Sequence, residues 1–114
     1  MTELTHYIDG KHVKGTSGRF ADVFNPATGE VQYKVPLAST AELAEAVEAA
    51  RRVQPEWAAV NPQRRARVMM KFVDLLNRDM EKLAEALSRE HGKTIPDAKG
   101  DVQRGLEVVE YCIG

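Results

Sequence analysis

The hydrophobic period of this chain changes at one place, and that change decides which folds are open to it. Up to residue 38 the β-forming residues come in short runs with a period near two, broken by Gly, Pro and Asn; from residue 39 apolar residues recur every third or fourth position. A period of two belongs to strands and one of 3.6 to helices, so the fold class is α+β, with the strands ahead of the helices. Ser39-Thr40-Ala41-Glu42 sits on the junction. It reads as a capping box, in which the Ser39 hydroxyl and the Glu42 carboxylate satisfy backbone donors that a first helical turn leaves unpaired.

Ahead of the junction the pattern predicts two hairpins. Asp9-Gly10, between Tyr7-Ile8 and Lys11-His12-Val13, supplies the two positive-φ positions of a tight type I′ turn. Residues 14–19 hold two glycines and small polar side chains and read as a loop. Phe20–Phe24 and Val31–Val35 read as strands joined by the turn Asn25-Pro26-Ala27-Thr28-Gly29, with Asn starting it, Pro fixing φ and Gly closing it. Two hairpins alone make a poor core.

Behind the junction three or four helices are expected. Leu43, Ala46, Val47, Ala50 and Val53 line one face of the first, which Pro55 should end. Asn61-Pro62 offers an N-cap and a first-turn proline. Met69, Phe72, Val73, Leu76, Met80, Leu83 and Leu87 form a long stripe that Asn77-Arg78-Asp79 can break in two, and His91-Gly92 should stop it. The last helix opens at Thr94-Ile95-Pro96-Asp97 and carries Ile95, Ala98, Val102, Leu106, Val109 and Ile113. Its stripe is still in phase at Gly114, with no cap and no polar tail, so the expectation is a truncated domain.

Charge and cysteine content bound the partners. Sixteen Lys and Arg against 17 Asp and Glu leave a formal net charge of −1, without the basic excess of a nucleic-acid or anionic-membrane binder. One cysteine, Cys112, permits no internal disulfide and fits a reducing, cytoplasmic setting. No apolar run approaches the roughly 20 residues of a membrane span, and the first residues lack the character of a signal peptide.

Most candidate sites reduce to ordinary structure. Gly92-Lys93-Thr94 looks like the end of a phosphate loop, but Leu87 stands where that motif needs glycine, so a helix stop followed by a cap is the better reading. Arg64, Arg65, Arg67 and Lys71 cluster without interleaved aromatics and read as a solvated face or as salt bridges to a partner subunit. His6, His12 and His91 have no metal-ligand spacing. Cys112 borders the last apolar stripe and reads as a small buried hydrophobe. Arg104 is different. It lies about 200° round the helix from Val102, opposite the stripe, and shares its face with Asp97, Gly100 and Tyr111. Gly100 and Gly105 each weaken a helix by about 1 kcal/mol, which points to close approach of another helix or a small ligand. An exposed arginine paired with Asp101 or Glu107 at three-residue spacing is the simpler reading; a guanidinium holding a carboxylate through two parallel hydrogen bonds is the alternative.

Taken in order, Tyr7-Ile8-Asp9-Gly10, Phe24-Asn25-Pro26-Ala27-Thr28-Gly29-Glu30-Val31, Trp57, Arg64-Arg65-Ala66 and Glu90-His91-Gly92-Lys93-Thr94 resemble the N-terminal part of the aldehyde dehydrogenase superfamily. Residues 61–69 and 88–110 look like its CoA-acylating methylmalonate-semialdehyde dehydrogenases. The resemblance implies an NAD-dependent enzyme that converts methylmalonate or malonate semialdehyde and CoA to an acyl-CoA with release of CO₂. It implies that residues 1–38 and 39–114 form hairpin and helical segments of an incomplete NAD-binding domain. It implies as partners the remainder of the dehydrogenase and further copies in a tetramer. It places Arg104, in Gly100-Asp101-Val102-Gln103-Arg104-Gly105, on the substrate carboxylate. The family's nucleophilic cysteine and its cofactor turn belong to later parts of its chain, so no catalytic, NAD, CoA or metal site is expected here and the segment alone should be inactive. The competing reading is a non-catalytic helical interaction module of the same ancestry, which should expose little apolar surface.

Overall fold

The computed structural model describes residues 2–114, which fall into two compact units meeting at Ala59/Val60. The first contains β1 (Thr2–Glu3), β2 (His6–Ile8), β3 (Lys11–Val13), β4 (Phe20–Phe24), β5 (Val31–Pro36) and α1 (Thr40–Ala59). β2 and β3 pair antiparallel with Ile8 opposite Lys11, and Asp9 and Gly10 between them take φ values of 53° and 74°, the type I′ turn expected. β4 and β5 form the second hairpin. Its turn is held by the Asn25 Oδ1, which accepts the Ala27 N–H at 2.9 Å, and by the Asn25 carbonyl, which accepts the Gly29 N–H at 2.8 Å. β1 adds a third strand, parallel to β5 with Thr2 opposite Tyr33. The hairpin reading lacks it because two residues are too few to show a period.

The capping box forms and does more than cap. The Ser39 Oγ accepts the Glu42 N–H at 3.1 Å, and the Glu42 Oε1 accepts the Ser39 N–H at 3.0 Å. The other carboxylate oxygen accepts the Thr16 N–H at 3.1 Å, and His6 Nε2 lies 3.4 Å from it. Glu42 is therefore the one buried charged side chain among the described residues, and it joins the 14–19 loop, β2 and the start of α1. These backbone donors, Ser39 before Thr16, hold its carboxyl at about 2, below the ordinary 4.5.

Pro55 does not end α1. It lies inside the helix, which continues through Trp57 to Ala59. A proline removes its own donor and crowds the carbonyl four residues back, but residues 51–59 are all exposed, so water takes the freed carbonyl and the good helix formers beyond it resume the turn. The expected apolar face of α1 is also largely open. Ala46 and Ala49 are half-covered along the groove shared with Tyr7 and Ile8, whereas Leu43, Val47 and Val53 are exposed.

The second unit is α2 (Pro62–Arg78), α3 (Met80–His91) and α4 (Ile95–Ile113), with α4 packed on both others. Asn61 caps α2, its Oδ1 accepting the Gln63 N–H at 2.8 Å. Asp79 breaks the long stripe as expected, leaving the helical conformation between α2 and α3 while its carboxylate binds Arg78 at 2.7 Å. Gly92, at φ 88°, ends α3. Ala84, Ala98 and Leu106 are the buried centre. The α4 stripe from Ile95 to Ile113 is buried or half-buried throughout, as are Met69, Val73, Leu76, Met80 and Leu87, but Phe72 and Leu83 are exposed. No helix among the described residues is long and apolar enough to cross a membrane.

The chain exposes 8670 Å². A self-contained globule of this mass would expose about 6,200 Å², and even two separate globules of half the mass about 7,500 Å². Among the large apolar residues left exposed are Leu43, Val47, Val68, Phe72, Val108 and Tyr111.

The Glu42 clasp has a pH signature. Its carboxyl titrates lower in the folded chain than in the unfolded one, so the stabilisation is complete above about 4.5 and is lost as pH falls toward 2. Thermal melts between pH 7 and pH 2 should show this loss, and Glu42→Gln should lower the melting temperature at pH 7 and flatten the acid slope. An acid slope unchanged by the substitution would contradict it.

Candidate functional site

On α4 an unpaired charge, a glycine and exposed apolar groups share one face. The start of the helix is fixed from both sides. The Gly92 N–H donates to the Ser88 carbonyl at 2.8 Å, the Ser88 hydroxyl donates to the Lys93 carbonyl at 2.7 Å, and Thr94 Oγ1 accepts the Asp97 N–H at 3.4 Å as the N-cap. Lys93 is thereby pinned between α3 and α4, and its ammonium reaches along α4 to pair with Asp101. That hydrogen bond, with Arg104 and His91 adding attraction, holds the Asp101 carboxyl below the usual carboxylate range.

Arg104 stands one turn further on, exposed, with no hydrogen bond or ion pair to any described residue. The two partners that its spacing offers are engaged elsewhere: Asp101 by Lys93, and Glu107 by the Gln103 amide at 3.4 Å. The simpler sequence reading, an arginine tied to its own helix, is therefore not what the structure contains. Val108 is 62 % exposed and Tyr111 87 %. Both lie within about 40° of Arg104 round the helix. The sequence reading placed Tyr111 on this face and did not single out Val108. It also missed Lys93, because a lysine eight residues from its partner follows no helical spacing rule.

Gly100 and Gly105 behave differently from expectation. A Cβ at either would meet nothing within 4 Å, so no described element approaches them. The helix carries the cost of both glycines with no described residue set against either. Cys112 is another correction: it is exposed, because it lies about 80° off the axis of the Val102-Leu106-Val109 stripe, beyond what α2 and α3 cover. Arg64, Arg67 and Lys71 are exposed, as a solvated face requires, while Arg65 is half-buried with its Nε unpartnered. His91 ends α3, where the helix dipole favours it, and His12 accepts or donates a 2.9 Å hydrogen bond with Thr5. Among the described residues no group of three or more His, Cys, Asp or Glu side chains is arranged to hold a metal ion.

Comparison with known proteins assigns the fold. The pattern of the aldehyde dehydrogenase family matches residues 12–114. The chain belongs to the aldehyde dehydrogenase family. It is 46 % identical to the malonate-semialdehyde dehydrogenase of Pseudomonas aeruginosa over 98 % of its own length and 22 % of that protein's. It is 47 % identical to the mitochondrial, acylating methylmalonate-semialdehyde dehydrogenase of Arabidopsis thaliana over 97 % of its length and 18 % of that protein's. A Sinorhizobium meliloti 1021 protein assigned as a methylmalonate-semialdehyde dehydrogenase, solved with NAD, superposes with a TM-score of 0.96 at 70 % identity, over 98 % of this chain and 23 % of that one. The α+β arrangement is thus the N-terminal part of the aldehyde dehydrogenase fold, and the chain spans about a fifth of the length of the relatives it matches.

Proposed function

We propose that this chain is the N-terminal portion of an NAD-dependent oxidoreductase that converts malonate or methylmalonate semialdehyde and CoA to an acyl-CoA with release of CO₂. Its part is to scaffold the site and to hold the substrate carboxylate through Arg104. The observation that carries this reading is the free guanidinium of Arg104, on a helix face it shares with Gly100, in a chain 46 % identical to a malonate-semialdehyde dehydrogenase. These semialdehydes differ from simple aldehydes in bearing a carboxylate, and a guanidinium fork matches that group with two parallel hydrogen bonds. NAD supplies hydride acceptance and CoA resolves the acyl group; no residue of this chain has the glycine-rich turn that would cradle the dinucleotide, and no chemical step is placed here. The remainder of the dehydrogenase, assembled as a cytoplasmic tetramer, covers the open apolar faces.

The excess exposed surface favours this reading over a self-contained interaction module, which would cover its apolar groups within itself. Two measurements test it. The isolated 114-residue chain should form no NADH from malonate semialdehyde and CoA, and measurable turnover would refute the scaffold role. In the complete dehydrogenase, Arg104→Lys should raise KM for carboxylated semialdehydes about tenfold or more relative to propanal, because Lys replaces a fork by a point charge. Equal losses on both substrates would return Arg104 to a structural role.

A further inference from the structure

Resting on that reading of Arg104, we propose that Lys93 is a positioning residue: by occupying Asp101 it keeps the Arg104 guanidinium open for the substrate carboxylate. Asp101 lies three residues before Arg104 on α4, with the acid on the N-terminal side. That is the arrangement in which an Asp and an Arg on one helix attract and pair. Left alone, Asp101 would compete with substrate for the same donors. The structure shows Asp101 turned to Lys93 instead, and Lys93 is not a freely swinging surface lysine. Its carbonyl is held by the Ser88 hydroxyl, it follows the helix-ending Gly92, and its side chain is only 22 % exposed.

The groups that act on Asp101 are Lys93 first and then, more weakly, Arg104 and His91. Arg104 therefore already feels Asp101 without pairing with it, and removing Lys93 removes the stronger competitor. Glu107, the acceptor on the other side, is covered by Gln103 at 3.4 Å. Lys93 and Gln103 between them engage one oxygen of each of the arginine's two acidic neighbours. A helix that needs a free cation beside two carboxylates can keep it only by giving those carboxylates other partners.

The test has two arms. In the 114-residue chain, the Asp101 carboxyl titration is followed by carbon NMR with and without Arg104→Gln. The upward shift that Arg104→Gln causes should about double when Lys93 is replaced by Ala, because Asp101 and Arg104 then pair directly. The same shift in both backgrounds overturns the proposal without touching the assignment of Arg104 to substrate. In the complete dehydrogenase, Lys93→Ala should raise KM for malonate semialdehyde relative to propanal by about two- to fivefold, the range of an ion pair at a surface, with kcat for the two substrates moving together. Adding Asp101→Asn should bring the KM ratio back to the wild-type value, and Lys93→Arg should keep it there. A fold-destabilising loss of Lys93 would not be rescued by Asp101→Asn, so failure of that rescue overturns the proposal. Asp101→Asn alone, which removes the competitor without removing Lys93, should leave the ratio unraised; a rise would also overturn it. Arg104→Lys run beside these separates the two ideas: a selective Arg104 effect with an unselective Lys93 effect defeats the Lys93 role alone, and equal Arg104 losses on both substrates defeat the reading beneath it.

Discussion

Val68, Phe72 and Leu75 lie within about 60° of one another on α2, about 100° round the helix from Met69, Val73 and Leu76, which α4 helps to cover, and all three are exposed. The apolar arc of α2 is thus wider than the surface this chain can set against it. The same holds for α1, where the alanine flank faces the β2–β3 hairpin and Leu43 and Val47 do not. Water contact with that much apolar surface costs on the order of 25 cal/mol per Å², and no element among the described residues covers it. Helices with two apolar sides belong between two layers, and in each unit the second side of these helices is left exposed.

That constraint explains which parts of the structure were legible beforehand. The α4 stripe, the Asn61 and Thr94 caps, the Asp79 break and the Asp9-Gly10 turn rest on interactions within a few residues, and each formed where the period and the capping chemistry put it. Cys112, Phe72 and the α1 face depend on what packs against them, and an apolar pattern states only that a face is to be covered. Pro55 shows the reverse error. Its local rule is sound, yet an exposed helix can carry the broken hydrogen bond to water. β1 had no signal, since two residues paired to a distant strand leave no mark on the local pattern.

The site divides along the same line. Arg104 and Gly100 on its face could be found from helical phase, because both lie on one element. Lys93 could not, because its role depends on Gly92 turning the chain and on Ser88 pinning the carbonyl, so that an ammonium in a loop arrives at the side of the next helix. Glu42 is the parallel case in the first unit. The capping box was readable from four consecutive residues; the bond to Thr16, 26 residues earlier, was not. In both places a local motif is reused to fix a non-local partner, and that second use is what a sequence conceals.

The central claim, that the open apolar faces belong against a further protein layer, is tested most directly by carbene footprinting of the chain alone and of the complete dehydrogenase. Leu43, Val47, Val68, Phe72 and Val108 should be strongly labelled in the isolated chain and shielded in the complete protein, while Ala84, Ala98 and Leu106 should be shielded in both. Equal labelling of the first group in the two samples would contradict the account.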